Sequence, residues 1–182
     1  VLDNYAYLAL RHNGLWIFDI SDPTHPTFVS NYQTDDALDL DVAGNYVYVA
    51  DSLSGVSIIS VEDPVHPTEI TRISSLEATQ IDLNGDNLYV TPRLRVFDVT
   101  NPAFPIEQAS FPTGSHVNES DEIIYLTSGS EGLFTLSLTS SIKGSVQHSN
   151  RMPAVGVSIY ANNVISTTTA ALSARPNSAA TP

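Results

Sequence analysis

Gly44-Asn-Tyr-Val-Tyr-Val-Ala-Asp51, followed after four residues by Val56-Ser-Ile-Ile-Ser-Val61 and then by Glu62-Asp-Pro-Val-His-Pro-Thr68, is the stretch whose reading decides the fold. Its apolar residues alternate with a period of two, and each run ends in residues that favour tight turns, which is strand and hairpin chemistry. Gly44 with Asn45 supplies a hairpin because both tolerate positive φ, and Gly55 marks a second. Asp63-Pro64 makes a third bend: Pro fixes φ, and the carboxylate before it can cap nearby amides. The pattern predicts strands over 37–42, 45–51, 56–61 and 68–74.

The same text recurs. Tyr7, Tyr48, Tyr89 and Tyr125 stand in NYAYLA, NYVYVA, DNLYVT and EIIYLT, at spacings of 41, 41 and 36 residues. Second apolar runs follow as LWIFDI from Leu15, VSIISV from Val56, LRVFDV from Leu94 and LFTLSL from Leu133. Gly14, Gly55 and Gly132 mark the hairpins before three of them, and Gly85-Asp86 repeats the Gly44-Asn45 turn. The closing turns are SDPTHPT (21–27), EDPVHPT (62–68) and TNPAFPI (100–106), so four copies begin and three finish. His25, His66 and Phe104 each precede a Pro and are held towards extended geometry. Nothing helical of useful length survives this punctuation.

Both faces of the middle strands are apolar. Tyr46, Tyr48 and Ala50 point one way and Val47 and Val49 the other, while Leu15 and Ile17 oppose Trp16 and Phe18. A sheet apolar on both sides needs cover on both, which neighbours stacked flank to flank provide. The expected fold is therefore all-β: a β-propeller fragment of about four four-stranded blades over 1–140, incomplete at its N-terminal edge, with repeats starting near residues 1, 37, 78 and 115. Val1 already lies in a strand-like pattern, and the expectation is a segment of a longer protein. Residues 166–182 are low in complexity and too poor in apolar surface to offset ordering entropy.

Composition narrows the function classes. The chain has 182 residues, 42% of them hydrophobic, which is enough for a core. It has no Cys, which excludes a disulfide scaffold, a Cys-ligated zinc module and a thiol nucleophile. A formal charge of −13 has the wrong sign for a phosphate backbone or an anionic membrane surface, so no nucleic acid partner is expected. No apolar run reaches the roughly 18 residues of a membrane span. The sequence has no GxSxG elbow, P-loop, HExxH or GxGxxG.

Gly-Asn-Tyr-x-Tyr-Val-Ala-Asp (44–51), Gly-Leu-Trp-Ile-Phe-Asp-Ile-Ser-Asp-Pro (14–23) and the following x-x-Pro-Thr resemble the LVIVD-repeat family of bacterial and archaeal surface proteins. The likeness covers about residues 1–140 and is strongest in the first two copies. Copy three has a shorter second hairpin, and copy four reads Leu138-Thr-Ser-Ser141 where the Asp-Pro turn would stand, so it looks like the terminal blade. The resemblance implies a β-propeller, an extracellular or cell-surface location and an interaction role; it implies no catalytic residues. Ile142-Lys-Gly-Ser-Val146, Pro153-Ala-Val-Gly-Val157 and Ile159 resemble the opening strands of a carboxypeptidase-regulatory-like β-sandwich. The other reading of residues 141–165 is a strand closing the fourth blade.

Three constellations are candidates for chemistry. Asp39, Gln80 and His116 occupy one repeat position, and Asp41, Asp82 and Asn118 the position two residues on, hence on the same strand face. The strand before the Tyr strand is innermost in a propeller blade, so these oxygen-rich groups are candidates to line a channel and hold a hard cation such as calcium. The alternative is solvated channel walls or turn caps. Asp35 and Asp36, in the link between an outermost and an innermost strand, are candidates for a binding face. His25 and His66 recur because the turn recurs, lie in separate blades and have no carboxylate at ligand spacing, so with Asp22 and Asp63 they read as turn formers. Asn118-Glu-Ser120 matches a glycosylation sequon, a weak three-residue signal.

The first functional reading is a non-enzymatic module of a secreted or surface protein, binding protein or carbohydrate through propeller loops. The alternatives are a propeller lyase or hydrolase using channel-mouth Asp and His as acid and base, and a calcium-stabilised spacer. No cofactor other than calcium is suggested.

Overall fold

In a computed structural model, residues 3–74, 76–112, 114–120, 123–128, 132–137, 143–147, 157–161 and 164–168 are described, and among them there is strand and turn but no helix. The strands are β1 (Tyr5–Ala9), β2 (Leu15–Asp19), β3 (Thr27–Tyr32), β4 (Asp39–Ala43), β5 (Tyr46–Ala50), β6 (Val56–Ser60), β7 (Thr68–Ile73), β8 (Gln80–Asn84) and β9 (Asn87–Thr91). They continue as β10 (Arg95–Asp98), β11 (Ile106–Ser110), β12 (His116–Ser120), β13 (Ile123–Ser128), β14 (Gly132–Ser137), β15 (Lys143–Gln147), β16 (Val157–Ala161) and β17 (Val164–Thr168).

These strands form four antiparallel sheets, ordered β1-β2-β3, β4-β5-β6-β7, β17-β16-β11-β10-β9-β8 and β12-β13-β14-β15. The architecture is consistent with a partial propeller. The strands expected over 37–74 fall within a residue or two of β4 to β7. Two features differ from four equal blades. The first sheet has three strands, and the third has six, because β16 adds to β11 through Ala161 opposite Ala109 and Tyr160 opposite Ser110. Lys143–Gln147 pairs with β14 as the last strand of the fourth sheet. Pairing between distant strands depends on edges left free by the rest of the fold, which no local pattern encodes. Leu138–Ser141, Pro153–Gly156 and residues 169–182 of the expected low-complexity tail lie outside the described residues, whereas 166–168 of that tail belong to β17.

Turn chemistry sets the boundaries. Gly44 and Gly85 adopt φ of +53° and +57° in the hairpins before β5 and β9. Gly55 (φ +86°) ends the β5–β6 hairpin so close to the outer strand that a Cβ would lie 2.0 Å from the Ile73 carbonyl oxygen. The ladder to the outer strand carries a β-bulge at the same repeat position in three sheets, at Ile17/Phe18, Ile58/Ile59 and Val96/Phe97. An extra residue there increases local twist and lets each sheet fan against the next.

The alternation read from the Tyr strands becomes three inter-sheet cores. Tyr7, Leu15 and Ile17 of the first sheet meet Val47, Val49, Ile59 and Val61 of the second. Tyr48, Ala50, Val56 and Ile58 meet Ile81, Leu88, Val90, Phe97 and Val99. Tyr89, Leu94, Val96 and Phe111 meet Val117, Ile124, Leu126, Phe134 and Leu136. One strand thus feeds two cores, Val47 and Val49 backwards, Tyr48 and Ala50 forwards. Large side chains contribute about 1.5–3 kcal/mol each when buried, so these interfaces dominate stability. The expected cover is missing on one face among the described residues: Trp16 and Phe18 are half-buried, stack on each other and meet edge-on with Phe28, which is 52% exposed.

Candidate functional site

The inner strands β4, β8 and β12 carry the polar positions singled out from the sequence. Asp39 and Asp41 share the face of β4 that looks towards the third sheet, and both reach its innermost strand. The Ile81 amide donates to Asp39 Oδ2 (3.1 Å) and the Leu83 amide to Asp41 Oδ2 (2.9 Å). The other carboxylate oxygens accept from the amides of Leu40 (3.0 Å) and Val42 (2.8 Å) on their own strand. One sheet on, the Glu119 amide donates to Asp82 Oδ2 at 2.7 Å. These carboxylates are stitches between neighbouring inner strands.

The stitches change the electrostatics of the acids. Burial raises the Asp39 pKa against the opposing pull of the Ile81 and Leu40 amides, with a smaller push from Asp41. Burial likewise raises Asp82, opposed by the Glu119 amide, and the Asp41 and Asp39 charges add to the rise. Behind them, burial pushes the Tyr48 hydroxyl up to about 12 and Tyr89 higher still, so both phenols are neutral at physiological pH. Gln80, the counterpart of Asp39, is half-buried and its Oε1 is buried without a hydrogen-bond partner. His116 and Asn118 are exposed. Among the described residues, no three His, Asp or Glu side chains stand at metal-holding spacing.

Asp35 and Asp36 lie in a different place, on the face built from the hairpins at 10–14 and 51–55 and from the links between sheets. Bridges from Arg11 to Ala37 and from Ser52 to Ala78 tie each hairpin to the next link. His12 Nδ1 approaches the Asp35 carbonyl oxygen at 2.9 Å, and Ser54 Oγ donates to Asp35 Oδ2. Asp36 lies 3.6 Å from Arg11 Nη1 and 3.7 Å from His12 Nδ1, while its amide donates to Asp51 Oδ1 at 2.7 Å.

Asp51 is the residue the sequence reading missed. It is fully buried and pairs with Arg72 Nη1 at 2.7 Å. Arg72 also donates to Glu69 (2.7 Å), which accepts from Ser57 Oγ at 2.7 Å. Its repeat counterparts are Leu10 and Pro92, so recurrence gave it no emphasis. The tips of this face are polar or apolar and open: the side chains of Arg11 and His12 are 71% and 84% exposed, Leu53 is 80% exposed, and Arg93 is exposed. Over the third sheet a shallow depression is lined by Leu76, Glu77, Pro92, Arg93 and Arg95.

The opposite end carries the Asp-Pro turns. Asp22 Oδ1 accepts from the Thr24 amide (3.0 Å), Asp63 Oδ1 from Val65 (3.0 Å), and Asn101 Oδ1 from Ala103 (3.2 Å). The expectation that no carboxylate stands near His25 and His66 is corrected: their Nδ1 atoms lie 3.0 and 2.9 Å from Asp22 Oδ2 and Asp63 Oδ2. The turn itself folds the imidazole back on the acid three residues earlier. Each pair is exposed and isolated in its own sheet, which keeps it a turn device.

The pattern of the LVIVD repeat matches three consecutive segments, residues 1–34, 35–74 and 77–113. The chain belongs to the LVIVD repeat family. The matched segments take in β1 to β11, and β12 to β15 form the next sheet beyond them. No curated protein matches the chain. Among solved structures, the LVIVD chain resembles the computationally designed Ika8 protein at 10% identity and a TM-score of 0.62, over 90% of this chain and 54% of that one. It also resembles a Bacteroides fragilis protein described as a 6-phosphogluconolactonase, at 13% identity and a TM-score of 0.59, over 90% of this chain and 66% of that one. A third likeness is to a chain of the S. cerevisiae assembly of Dbp5 with Nup159 and Gle1, at 12% identity and a TM-score of 0.53, covering 90% and 59%. At such identities the likeness concerns the fold alone, and the chain spans between half and two thirds of each of these structures.

Proposed function

We propose that this LVIVD repeat chain is a non-enzymatic propeller module of a secreted or cell-surface protein, engaging a protein partner through the face that carries Arg11, His12, Asp35, Asp36, Leu53 and Arg93. The observation that carries this reading is the division of labour among its polar groups. The inner-strand carboxylates Asp39, Asp41 and Asp82 spend their oxygens on backbone amides, so they hold sheets together. The loop face instead combines exposed groups of both charge signs with an open leucine, a mixture suited to the polar rim and apolar contacts of a protein interface. The ion pair of buried Asp51 with half-buried Arg72 supports the loops from beneath, and rigidly mounted loops lose less entropy on binding. The surface location rests on the family resemblance.

A photo-crosslinking residue at position 53 tests this reading against the same residue at position 104, whose Phe is 74% exposed at the opposite end. In an extract of the source organism, a discrete protein adduct from position 53 and none from position 104 is expected. Equal labelling at both, or none at position 53, would contradict it.

A further inference from the structure

We infer that the depression beside the β9–β10 hairpin is a site for a single carboxylate, supplied by an Asp or Glu side chain of a protein partner and received by Arg95 and Arg93. The inference rests on the reading of this face as a protein interface and names one chemical feature of what docks there.

The argument compares two arginines that the repeat anchors in equivalent ways. Glu69 stands opposite Ile59 and Glu107 opposite Phe97, at matching bulges of the second and third sheets. Each glutamate holds an arginine by its Nε and Nη2 edge: Arg72 donates to Glu69 at 3.4 and 2.7 Å, and Arg95 to Glu107 at 2.8 and 2.5 Å. Both arginine side chains are half-buried. They come from neighbouring strands, since Arg72 lies on β7 opposite Ser57, whereas Arg95 takes the Ser57 position itself on β10.

The difference lies on the other edge of the guanidinium. Arg72 Nη1 donates to Asp51 Oδ2 at 2.7 Å and to the Ser54 carbonyl oxygen at 3.3 Å, both acceptors belonging to the β5–β6 hairpin. In the third sheet Pro92 stands where Asp51 stands in the second. The hairpin is also shorter: Val49 pairs with Ser57, eight residues on, but Val90 pairs with Arg95, five residues on. Among the described residues Arg95 Nη1 therefore has no acceptor, its hydrogen bonds all going to Glu107 from Nε and Nη2. The depression opens at this point, with Pro92, Arg93 and Arg95 on one side and Leu76 and Glu77 on the other.

The lining sets the class of ligand. A volume of about 200 Å³ suits one side chain, since pockets for small molecules run to about 300–1,000 Å³. Arg95 sits 5.1 Å from the centre of the Phe97 ring and is clamped by Glu107, so its open edge is held in place for a planar acid group. Arg93 is exposed at the rim, makes no ion pair among the described residues and adds a second positive charge. Half-buried Leu76 and Pro92 offer apolar surface to the methylenes of an acidic side chain. Glu77 is exposed on the same rim, and its charge opposes a phosphate dianion more strongly than a single carboxylate. The partner's acid thus does for Arg95 what Asp51 does for Arg72.

The test titrates the full chain with acetyl-Gly-Asp-Leu-amide and follows the Nε–H resonances of Arg93 and Arg95 by NMR, with the Asn peptide and inorganic phosphate as comparisons. Saturable shifts are expected with millimolar Asp peptide, and binding about tenfold weaker for the Asn peptide, which lacks the charge-assisted hydrogen bonds. Pro92→Asp, which supplies a carboxylate from within the chain, and Arg95→Gln should each abolish the shifts. Should either impair folding, Arg93→Gln at its exposed position is expected to weaken the Asp peptide about threefold. Equal binding of the Asp and Asn peptides, tighter binding of phosphate, or no saturable shift would overturn the inference. A protein adduct from position 53 beside a silent titration would remove the carboxylate site and leave the interface, whereas peptide binding without that adduct would support the site and remove the interface.

Discussion

Asp82 combines two opposed effects that substitution can separate. Its carboxylate satisfies the Glu119 amide across a sheet boundary, yet burial disfavours its charge. Asp82→Ala leaves that amide without its acceptor and is expected to cost about 1–3 kcal/mol, read from denaturant midpoints. Asp82→Asn keeps an acceptor and removes the charge, so it is expected to be more stable than the natural chain at pH 7. Because the folded pKa is raised above the ordinary 3.8, the folded state binds the proton more tightly than the unfolded state. The natural chain therefore regains stability as pH falls through the folded value, and the advantage of Asn should vanish below about pH 4.

Glycine gives a second contrast at this scale. Gly44 and Gly55 both have positive φ, but a Cβ at Gly44 meets open space whereas one at Gly55 collides with the Ile73 backbone. Gly44→Ala is expected to cost about 1 kcal/mol, the ordinary left-handed penalty. Gly55→Ala should exceed about 3 kcal/mol, in the range reserved for such clashes. Thermal melts of both variants at matched pH check this, and equal losses would contradict the packing at the β5–β6 hairpin. The glycines were legible as turn markers from their neighbours. Their unequal cost was not, since it depends on an outer strand eighteen residues away (73 − 55).

Among the elements, the Asp-Pro turns and the inner strands divide the acids into two titrating classes. Hydrogen bonds from Ser21, led by its side chain, hold Asp19 below the ordinary carboxylate value; those from Thr24 do so for Asp22, from His66 for Asp63 and from Thr100 for Asp98. NMR titration should therefore find these four below 3.8, and Asp39 and Asp82 above it. The turn acids favour the folded state above their unfolded pKa, and that contribution is lost as pH falls through their lowered values. Merged titrations for the two classes would contradict the geometry of turn and strand alike.

What could be read at the level of elements follows from locality. Strand, hairpin and Asp-Pro turn are written in residues a few positions apart, so β4 to β7 fall where alternation and punctuation place them. The rings Asp39/Gln80/His116 and Asp41/Asp82/Asn118 were visible as recurrence. Their partners were not, because a backbone amide has no sequence signature. For the same reason the hydrogen bonds by which Asp39, Asp41 and Asp82 link neighbouring inner strands could not be read from recurrence, and the six-stranded third sheet, which joins β16 to β11, had no local cue.

For the whole molecule, three apolar interfaces and the inner-strand carboxylates act in series. Each sheet is apolar on both faces and relies on its neighbours, so the chain behaves as a repeat array whose stability resides between units. Trp16, Phe18 and Phe28 pack their rings on one another on the face of the first sheet that no other described sheet covers. The net charge of −13 favours solubility but does not hold such an array together.

Native-state hydrogen exchange of the Ile81, Leu83 and Glu119 amides most directly tests the claim that inner-strand carboxylates join adjacent sheets. These amides should exchange as slowly as those within β5 and β9, and Asp41→Ala should speed Leu83 while leaving Glu119 protected. Exchange of all three as fast as the exposed turn at Gly44 and Asn45 would contradict the account.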